Sequence, residues 1–333
     1  MRAILYDAVG APPMLRDVDE PVCPPDGAVV EVKATGICRS DWHAWRGHDP
    51  VRLPHVPGHE FAGLVAQVGE EVTGFGPGDR VTAPFVNGCG RCEWCRAGAA
   101  QVCPDQTQPG FTQWGSFAER VVVRAADTNL VRLPGSLDFV SAAALGCRFA
   151  TAFRALTGHG SLRPDALVAV FGAGGVGLSA IMIAVALGHR VLAIDPSPAA
   201  NALAASLGAV IVHEVVDRAD LAIDAYGSAA TALASVRSLR RGGRHVQVGL
   251  MLGPDAAAPL PWDLVVAREL HVAGSHGMAA ADYPAMLEMV ADGRLAPRRL
   301  VGTVIPLAEA GTALTAMDSP IPAHSGIVVA VID

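Results

Sequence analysis

The chain has 333 residues, of which 51% are hydrophobic and 17% are charged. This length exceeds what one hydrophobic core usually organises and favours two domains, while the composition excludes a disordered protein. The formal net charge of -7 argues against a nucleic acid or an anionic membrane as partner, because both require a clustered basic surface.

The seven cysteines indicate metal binding in a reducing compartment. Their number is odd, they are clustered, and the chain opens on a strand-like Ala3–Tyr6 instead of an export signal. We therefore predict a cytoplasmic protein with cysteine metal ligands; disulfides are the alternative. Residues 166–188 carry no charge and are long enough to cross a membrane, but the glycines in their middle favour a strand, a turn and a buried helix.

The first part of the chain, up to about residue 140, contains short β-like runs separated by glycine and proline. Examples are Ala28–Val32, Gly63–Val68 and Asp79–Thr82. Turn signals at such regular spacing are typical of an all-β, barrel-like domain.

Two motifs in this part carry metal-ligating side chains, namely Cys38-Arg-Ser-Asp-Trp-His43 and Gly58-His59-Glu60. A further cysteine, Cys147, stands alone before the second half of the chain. As a set, Cys38, His59 and Cys147 make a Cys2His site with a fourth position open to water or substrate. Taken singly, Cys147 is more typical of a small buried hydrophobic residue than of a metal ligand. A lone His59 would likewise usually have a structural role.

A second cysteine cluster has a spacing that predicts a closed zinc site. Its pattern is Cys-x2-Cys-x2-Cys-x7-Cys, formed by Cys89, Cys92, Cys95 and Cys103. Four thiolates around one tetrahedral zinc leave no open position, which marks a structural site. The metal would replace a hydrophobic core in a lobe over about residues 86–105. A redox role for these thiols has little support.

From about Cys147 onward, helical patterns alternate with apolar runs, which predicts a parallel sheet. The predicted strands are Leu167–Phe171, Val191–Ile194, Ala209–Val212, Leu221–Asp224, His245–Val248 and His271–Ala273. A helix over Gly175–Leu187 is apolar almost all round and should be buried.

The first of these strands leads into a glycine-rich turn that is typical of a dinucleotide site. The turn contains Gly172, Gly174 and Gly177, which permit a tight turn, approach of a pyrophosphate and close helix packing, respectively. The free N–H groups and the positive dipole end of the helix would face the phosphates. Asp195, at the end of the next strand, can accept both ribose hydroxyls of NAD and would repel a 2′-phosphate. The alternative is a packing turn, which would not need this acid.

Two further features concern the fold. Only about eight residues separate the strands Ala209–Val212 and Leu221–Asp224, whereas a parallel crossover normally takes a dozen or more, so we expect a compressed turn without a helix. The tail holds a helix, Tyr283–Ala291, and a closing strand, Ile327–Ile332, that would complete the first domain. The predicted domains are residues 1–147 with 277–333, and residues 148–276.

Over essentially its whole length the sequence resembles the zinc-containing medium-chain alcohol dehydrogenases. The matching motifs are C-R-S-D-W-H, G-H-E, the four-cysteine lobe, G-F-T-Q-W-G-S-F-A-E, G-C-R-F-A-T and G-A-G-G-V-G. The resemblance implies a GroES-like β-rich catalytic domain and a doubly wound, Rossmann-type cofactor domain, an α/β fold. It also implies two zinc ions per chain, one catalytic and one structural.

The resemblance assigns the catalytic zinc to Cys38, His59 and Cys147, with Glu60 beside them as a transient ligand. Asp41 would orient His59, which is the usual way in which a ligating imidazole is held. A zinc ion lowers the pKa of a bound hydroxyl, so that the alcohol can ionise near neutral pH.

Ser40 would then take the proton of the alcohol, and His43 would pass it to solvent through the cofactor ribose. A helix cap and a solvated histidine are the alternative roles of these two residues. Arg39 would reach the cofactor pyrophosphate. The resemblance places the remaining cofactor contacts at Thr151, Gly172, Gly174, Gly175, Val176, Gly177, Asp195, Val248 and Leu250. It also places Leu250 with Phe85 in the wall of the substrate pocket.

Two positions depart from the family. Many relatives carry a lysine about five residues after the ribose acid, where this chain has Ala200, and an arginine or lysine where the last strand begins, where it has Ile327. Both changes remove positive contacts to the cofactor, but Asp195 remains.

The sequence thus predicts an NAD-dependent zinc alcohol dehydrogenase that converts primary or secondary alcohols to aldehydes or ketones. The alternatives are an NADPH-dependent carbonyl reductase, a zinc-free quinone reductase on the same scaffold and, in another class, a non-catalytic NAD(H) sensor or scaffold. A polyol is a weaker substrate candidate, because relatives acting on polyols usually have glutamate at position 147. We expect a homodimer or homotetramer formed through residues 260–273, with no nucleic-acid or membrane partner.

Overall fold

The structure is a computed structural model that describes residues 1–215, 217–319 and 326–332. The chain divides into two units, one formed by Met1–Ala150 with the segment from Gly277 onward, the other by Thr151–His276. Among the described residues, the helices are all too short or too polar to span a bilayer.

The described residues form 15 β-strands. They are β1 (Arg2–Leu5), β2 (Met14–Asp17), β3 (Ala28–Ile37), β4 (Glu60–Val68), β5 (Arg80–Thr82), β6 (Arg120–Val123), β7 (Val131–Arg132), β8 (Leu167–Phe171), β9 (Arg190–Ile194), β10 (Val210–Ile211), β11 (Ala219–Asp224), β12 (Leu239–Gln247), β13 (His271–Gly274), β14 (Val301–Pro306) and β15 (Ile327–Val331).

The α-helices are α1 (Arg39–Trp45), α2 (Glu93–Arg96), α3 (Ala126–Asn129), α4 (Phe139–Ala143), α5 (Ala150–Thr157), α6 (Gly175–Ala186), α7 (Pro198–Ser206), α8 (Ala229–Arg237), α9 (Trp262–Ala267), α10 (Tyr283–Ala291) and α11 (Ala310–Thr315). A π-helix covers Leu145–Phe149. Short 3₁₀ turns lie at Ala100–Val102, Gly253–Ala257, Ala280–Asp282, Pro297–Leu300, Leu307–Glu309 and Ala316–Asp318.

The first unit is the β-rich, GroES-like half that the turn-rich sequence predicts. Its larger sheet has the order β14-β15-β3-β4-β5-β7, with β6 pairing along β3, and β1 pairs separately with β2. Except for the parallel pair β14–β15, the neighbours are antiparallel. Tyr6, Phe61 and Phe117 are completely buried in its core, and each such aromatic stabilises the fold by about 1.5–3 kcal/mol. The predicted closing strand joins this sheet as β15.

The second unit contains the predicted parallel sheet. Its strand order is β10-β9-β8-β11-β12-β13, and every neighbouring pair is parallel. Counted within the unit, this is the order 3-2-1-4-5-6 of a doubly wound Rossmann sheet, which binds ligands at the carboxyl ends of the strands where the order reverses. That reversal lies between β8 and β11, and β8 is buried along its whole length.

The connection from β10 to β11 is as short as the sequence predicts. In its described residues, 212–215 and 217–218, the chain forms no helix, although it must pass β9 and β8 to reach β11. The strand at β10 covers only Val210–Ile211, two residues fewer than predicted. Where a crossover helix would normally cover the sheet, a cavity of about 640 Å³ is lined by Phe171, Ile194 and Leu233 among others.

The backbone geometry of the turn between β8 and α6 requires glycine at two positions. Gly172 has a φ of +92°, a conformation that other residues rarely adopt. A Cβ atom on Gly177 would lie 1.8 Å from the Gly172 carbonyl oxygen, so the helix can approach the strand only without one. Helix α6 is buried from Gly177 through Ala184, as its uniformly apolar sequence predicts.

Candidate active site

Three side chains that are distant in sequence meet in the first unit. Cys38 precedes α1, His59 precedes β4, and Cys147 lies in the π-helix. One ligand atom from each lies within 4.8 Å of the others, which is close enough for all three to hold one metal ion. Cys38 and His59 are buried and Cys147 is half-buried. The predicted Cys2His set therefore comes together.

The imidazole of His59 is oriented for metal binding. Its Nδ1 lies 2.9 Å from Oδ1 of Asp41, and both side chains are completely buried. Its Nε2 is also buried and has no hydrogen-bond partner among the described residues. A buried nitrogen without a partner is costly, and a metal ion between the two thiols would satisfy it. The residues present thus fit a zinc ion.

Asp41 fixes two of the ligand segments at once. Its Oδ2 accepts a hydrogen bond from the backbone N–H of Cys38 at 3.0 Å, and its Oδ1 accepts another from that of Gly58 at 2.9 Å. The contact with Cys38 belongs to the capping box at the first turn of α1, where a carboxylate is favoured by the helix dipole. The Asp41 side chain therefore positions both Cys38 and His59.

The charges of the cluster favour metal binding. A hydrogen bond from the Cys147 thiol lowers the pKa of Cys38 well below its usual range, with help from the Arg148 guanidinium. The same hydrogen bond raises the pKa of Cys147. Burial alone would lower the pKa of His59, but the Asp41 carboxylate raises it well above its ordinary value. This electron-rich surrounding strengthens the imidazole as a ligand.

Glu60 is held away from this set. Its buried carboxylate forms an ion pair with Arg148, and within the described part of the chain it does not join the group of ligand atoms. Burial raises the pKa of Glu60 despite the neighbouring guanidinium. The geometry thus pairs this predicted transient ligand with an arginine.

The predicted proton-transfer residues lie on α1. The hydroxyl of Ser40 is 3.8 Å from the Cys38 sulfur. Nδ1 of His43 is 3.1 Å from Nδ1 of the exposed His48, which gives His43 a neighbour toward solvent. Burial, followed by the charges of His48 and Arg39, lowers the pKa of His43 to about 4. His43 is therefore neutral, and able to accept a proton, at physiological pH.

Arg39, the predicted pyrophosphate contact, interacts with protein groups in this structure. Its Nη1 donates to the carbonyl oxygen of Met317 at 2.6 Å, and its guanidinium lies 4.8 Å from the centre of the Trp42 ring. The side chain is exposed.

Aromatic rings lie against the metal cluster. The ring centre of Phe85 is 6.1 Å from that of His59, and the ring centre of Phe111 is 5.0 Å from it. Phe85 was predicted as a pocket wall; Phe111 was not, although it lies in a motif that the sequence analysis singled out. These rings give the surroundings of His59 an apolar character.

The four cysteines of the lobe also converge. Their sulfur atoms all lie within 4.8 Å of one another. The sulfur of Cys92 is 3.5 Å from that of Cys95 and 3.7 Å from that of Cys103. Backbone N–H groups of Cys89 and Cys95 point at sulfurs from 3.4 Å, a pattern that stabilises thiolates. A backbone hydrogen bond from Arg91 lowers the pKa of Cys89 to about 7.

The second unit carries the glycine turn and its acid. Oδ2 of Asp195 accepts a hydrogen bond from the backbone N–H of Ala173, and Oδ1 accepts one from Ser197, both at 2.7 Å. The carboxylate is half-buried and so remains accessible beside the turn. A Cβ on Gly174 would meet no atom within 4 Å, which leaves space above the turn.

The remaining predicted contacts have varied surroundings. Gly175 and Val176 begin α6 and are half-buried, Thr151 is buried in α5, and Val248 follows β12. Leu250 is 46% exposed. Tyr226, directly after β11, is 68% exposed, and its Cβ would lie 3.0 Å from a Cβ on Gly172.

The chain matches two family profiles. The Alcohol dehydrogenase GroES-like domain matches residues 24–135, and the Zinc-binding dehydrogenase domain matches residues 175–292. The first match lies within the β-rich unit, and the second includes the strands of the parallel sheet from β9 to β13.

Characterised relatives and solved structures agree. An alcohol dehydrogenase of Geobacillus stearothermophilus is 32% identical over 310 residues, which cover 89% of this chain and 90% of the relative. An alcohol dehydrogenase of Rhizobium meliloti (strain 1021) is 34% identical over 314 residues, which cover 89% of this chain and 90% of that relative. The structure of alcohol dehydrogenase TADH from Thermus sp. ATN1 superposes over 100% of both chains with a TM-score of 0.90 at 34% identity.

The fold and the likeness to alcohol dehydrogenases define an oxidoreductase of the alcohol dehydrogenase class. More specifically, this chain belongs to the zinc-containing medium-chain alcohol dehydrogenase family.

Proposed function

We propose that this protein is an NAD-dependent zinc alcohol dehydrogenase that oxidises a primary or secondary alcohol to the aldehyde or ketone. The observation that carries the proposal is the convergence of Cys38, His59 and Cys147, since one ligand atom of each lies within 4.8 Å of the others. Nε2 of His59 is also buried and without a hydrogen-bond partner among the described residues. Three protein ligands with the fourth position left open are typical of catalytic zinc, whereas four are typical of structural zinc.

Cys38, His59 and Cys147 would hold the catalytic zinc, and Cys89, Cys92, Cys95 and Cys103 the structural one. When bound, the catalytic zinc supplies a Lewis acid that lowers the pKa of the alcohol hydroxyl. Asp41 keeps the His59 ring in the orientation that binding requires, since its carboxylate accepts a hydrogen bond from Nδ1–H.

The chain's own residues then remove the proton. The Ser40 hydroxyl, beside the Cys38 sulfur, accepts the alcohol proton and passes its own onward. Burial lowers the pKa of His43 to about 4, so the ring is neutral and would hand this proton on instead of retaining it. From Nδ1 of His43, the exposed His48 leads toward water.

The glycine turn and Asp195 would bind NAD, which supplies the hydride acceptor when present. The free N–H groups at the start of α6 suit the pyrophosphate, and the half-buried carboxylate of Asp195 suits the ribose hydroxyls. From Asp195 to the end of α7 at Ser206 the sequence contains no lysine or arginine. A 2′-phosphate there would meet a negative charge without a counter-charge, which favours NAD over NADP.

The apolar surroundings of His59 favour an uncharged alcohol with a hydrophobic substituent. Phe85 and Phe111 would contact that substituent. Because their rings offer no hydrogen bonds to additional hydroxyl groups, a polyol is disfavoured.

The test is a panel of primary, secondary, allylic and benzylic alcohols with NAD or NADP, followed by absorbance of the reduced cofactor. We expect turnover with NAD, loss of turnover after treatment with a zinc chelator, and recovery on adding zinc. Turnover that survives complete removal of zinc would contradict the metal's proposed role.

The second candidate is an NADPH-dependent carbonyl reductase. It is favoured by one solved relative, a zinc-binding dehydrogenase from Sinorhizobium meliloti 1021 that is described as bound to NADP and is 27% identical over 99% of both chains, with a TM-score of 0.88. Comparing NADH with NADPH in carbonyl reduction separates the two, because Asp195 favours NADH.

We also propose that the protein is a homo-oligomer. The edge strand β13 exposes Val272, and the nearby α9 exposes 61% of Trp262 and 77% of Val266. A second copy that covers these side chains would remove both the open edge and the apolar surface from water. Gel filtration should give a dimer or tetramer, and a monomeric Stokes radius would contradict this assembly.

A further inference from the structure

The carboxylate of Glu60 is held by two consecutive residues. Its Oε1 accepts hydrogen bonds from the backbone N–H of Cys147 at 3.2 Å, from that of Arg148 at 2.9 Å and from Nε of Arg148 at 3.0 Å. Its Oε2 accepts one from Nη2 of Arg148. Glu60 is completely buried and Arg148 is 7% exposed, so these four contacts are shielded from water and correspondingly strong.

The backbone around Cys147 makes this arrangement possible. Both residues lie in a π-helix, a kind of turn that is frequent at functional sites. The backbone N–H groups of Cys147 and Arg148 both point at the carboxylate. These contacts fix the backbone of Cys147 relative to Glu60, the residue that follows His59.

The surroundings leave the carboxylate little room to move. A Cβ on Gly36 would lie 2.5 Å from Oε2 of Glu60 and 3.0 Å from Nη2 of Arg148. A Cβ on Gly146 would lie 2.9 Å from the Cα of Glu60. Glycine at both positions lets the strand and the π-helix close on the pair.

We propose that Arg148 is a positioning residue that holds Glu60 as a lock, so that its carboxylate does not become a fourth metal ligand. The inference rests on the proposed function. Glu60 follows the ligand His59 directly, and a carboxylate oxygen is a competent zinc ligand. A released Glu60 could therefore close the position that the alcohol needs. Arg148 also balances the charge, because two thiolates and one carboxylate exceed a divalent cation by one negative charge.

The experiment uses protein in which cobalt(II) replaces zinc, with imidazole as a probe of the open metal position followed by visible absorption. In Arg148→Gln the freed carboxylate should bind the cobalt. The spectrum without imidazole should change, and imidazole affinity should fall by about 10-fold or more. In Glu60→Gln/Arg148→Gln no carboxylate remains, so imidazole affinity should return to within about 3-fold of the wild type.

Equal imidazole affinities for the wild type and Arg148→Gln, or an affinity in the double variant as low as in Arg148→Gln, would overturn the lock. If Arg148→Gln does not fold, Arg148→Lys keeps the charge but loses the two-pronged contact. It should show the same change to a smaller extent, reversed by Glu60→Gln, and an affinity equal to that of the wild type would overturn the proposal. The spectra do not require turnover, so a wild type that binds cobalt and imidazole but oxidises no alcohol would refute the proposed function and leave this comparison intact.

Discussion

The first unit contains two cysteine clusters that differ in how their ligands are brought together. The closed cluster takes four sulfurs from one short segment, whereas the open cluster takes two sulfurs and an imidazole from three segments. In the closed cluster three of the four cysteines are half-buried; in the open one Cys38 and His59 are fully buried. The closed cluster can therefore form with little help from the rest of the fold, and the open one only after β3, β4 and the π-helix have packed.

The supporting contacts differ in the same way. Backbone N–H groups at 3.4 Å support the sulfurs of the closed cluster. The open cluster relies on buried side chains, with Asp41 on His59 and the Glu60–Arg148 pair beside Cys147. The closed cluster, with ligands from one segment, thus suits a role in stabilising the fold. The open cluster, assembled from three segments, can be tuned for chemistry by the residues around it.

The largest expected effect is that of removing a ligand of the open cluster. In Cys147→Ser we expect one zinc per chain instead of two, and a loss of kcat/KM of at least about 10³-fold, because the Lewis acid is lost. Metal analysis and steady-state kinetics measure both quantities. Cys23→Ser, at a half-buried cysteine outside both clusters, is the matched control and should keep both zinc ions. Two zinc ions in Cys147→Ser would show that this residue is not a ligand.

The corresponding change in the closed cluster should act on stability. Cys103→Ser should lose the other zinc and destabilise the lobe by about 3 kcal/mol or more, which corresponds to a fall in Tm of about 10 °C. Calorimetry and limited proteolysis within residues 86–105 measure this. If activity at low temperature fell as far as in Cys147→Ser, the division of roles between the two clusters would be wrong.

A smaller effect is expected from the support of His59. Asp41→Asn removes the negative charge that holds Nδ1, and should lower zinc affinity at the open cluster by about 10–100-fold. Competition with a chromophoric chelator measures the affinity. The closed cluster should keep its zinc throughout, and equal losses at both clusters would indicate general unfolding instead.

The smallest expected effect concerns pH. Burial lowers the pKa of His43 to about 4 in the folded chain, below its ordinary value of 6.5. As pH falls through this window the unfolded chain binds a proton that the folded chain does not, so the free energy of unfolding decreases. His43→Gln should therefore flatten the decrease between about pH 6.5 and 4, as followed by urea unfolding. Identical slopes for wild type and His43→Gln would contradict the shift.

Much of this molecule follows from its sequence. The spacing of Cys89, Cys92, Cys95 and Cys103 predicts the closed cluster, because the ligands are local. The glycine turn, its acid and the alternating pattern predict the parallel sheet, since each carries its own periodicity or backbone requirement. The lack of a helix in the described residues between β10 and β11 follows from counting residues.

Other features depend on tertiary packing. Strand β12 begins at Leu239, so the predicted start at His245 is wrong. The sequence does not reveal the earlier residues as a strand, because Gly242 and Gly243 interrupt any strand-like pattern. The role of Arg148 depends on a π-helix, which changes where each side chain of the turn points and leaves no periodic signal in five residues. Phe111 lies on a turn, so only the fold brings its ring to His59.

The most direct measurement is a crystal structure with anomalous diffraction data collected on both sides of the zinc absorption edge. We expect two zinc peaks per chain. One should lie about 2.3 Å from the sulfurs of Cys38 and Cys147 and about 2.0–2.1 Å from Nε2 of His59, and the other among the four sulfurs of the lobe. A single peak in the lobe, in crystals of fully active enzyme, would contradict a catalytic metal at the open cluster.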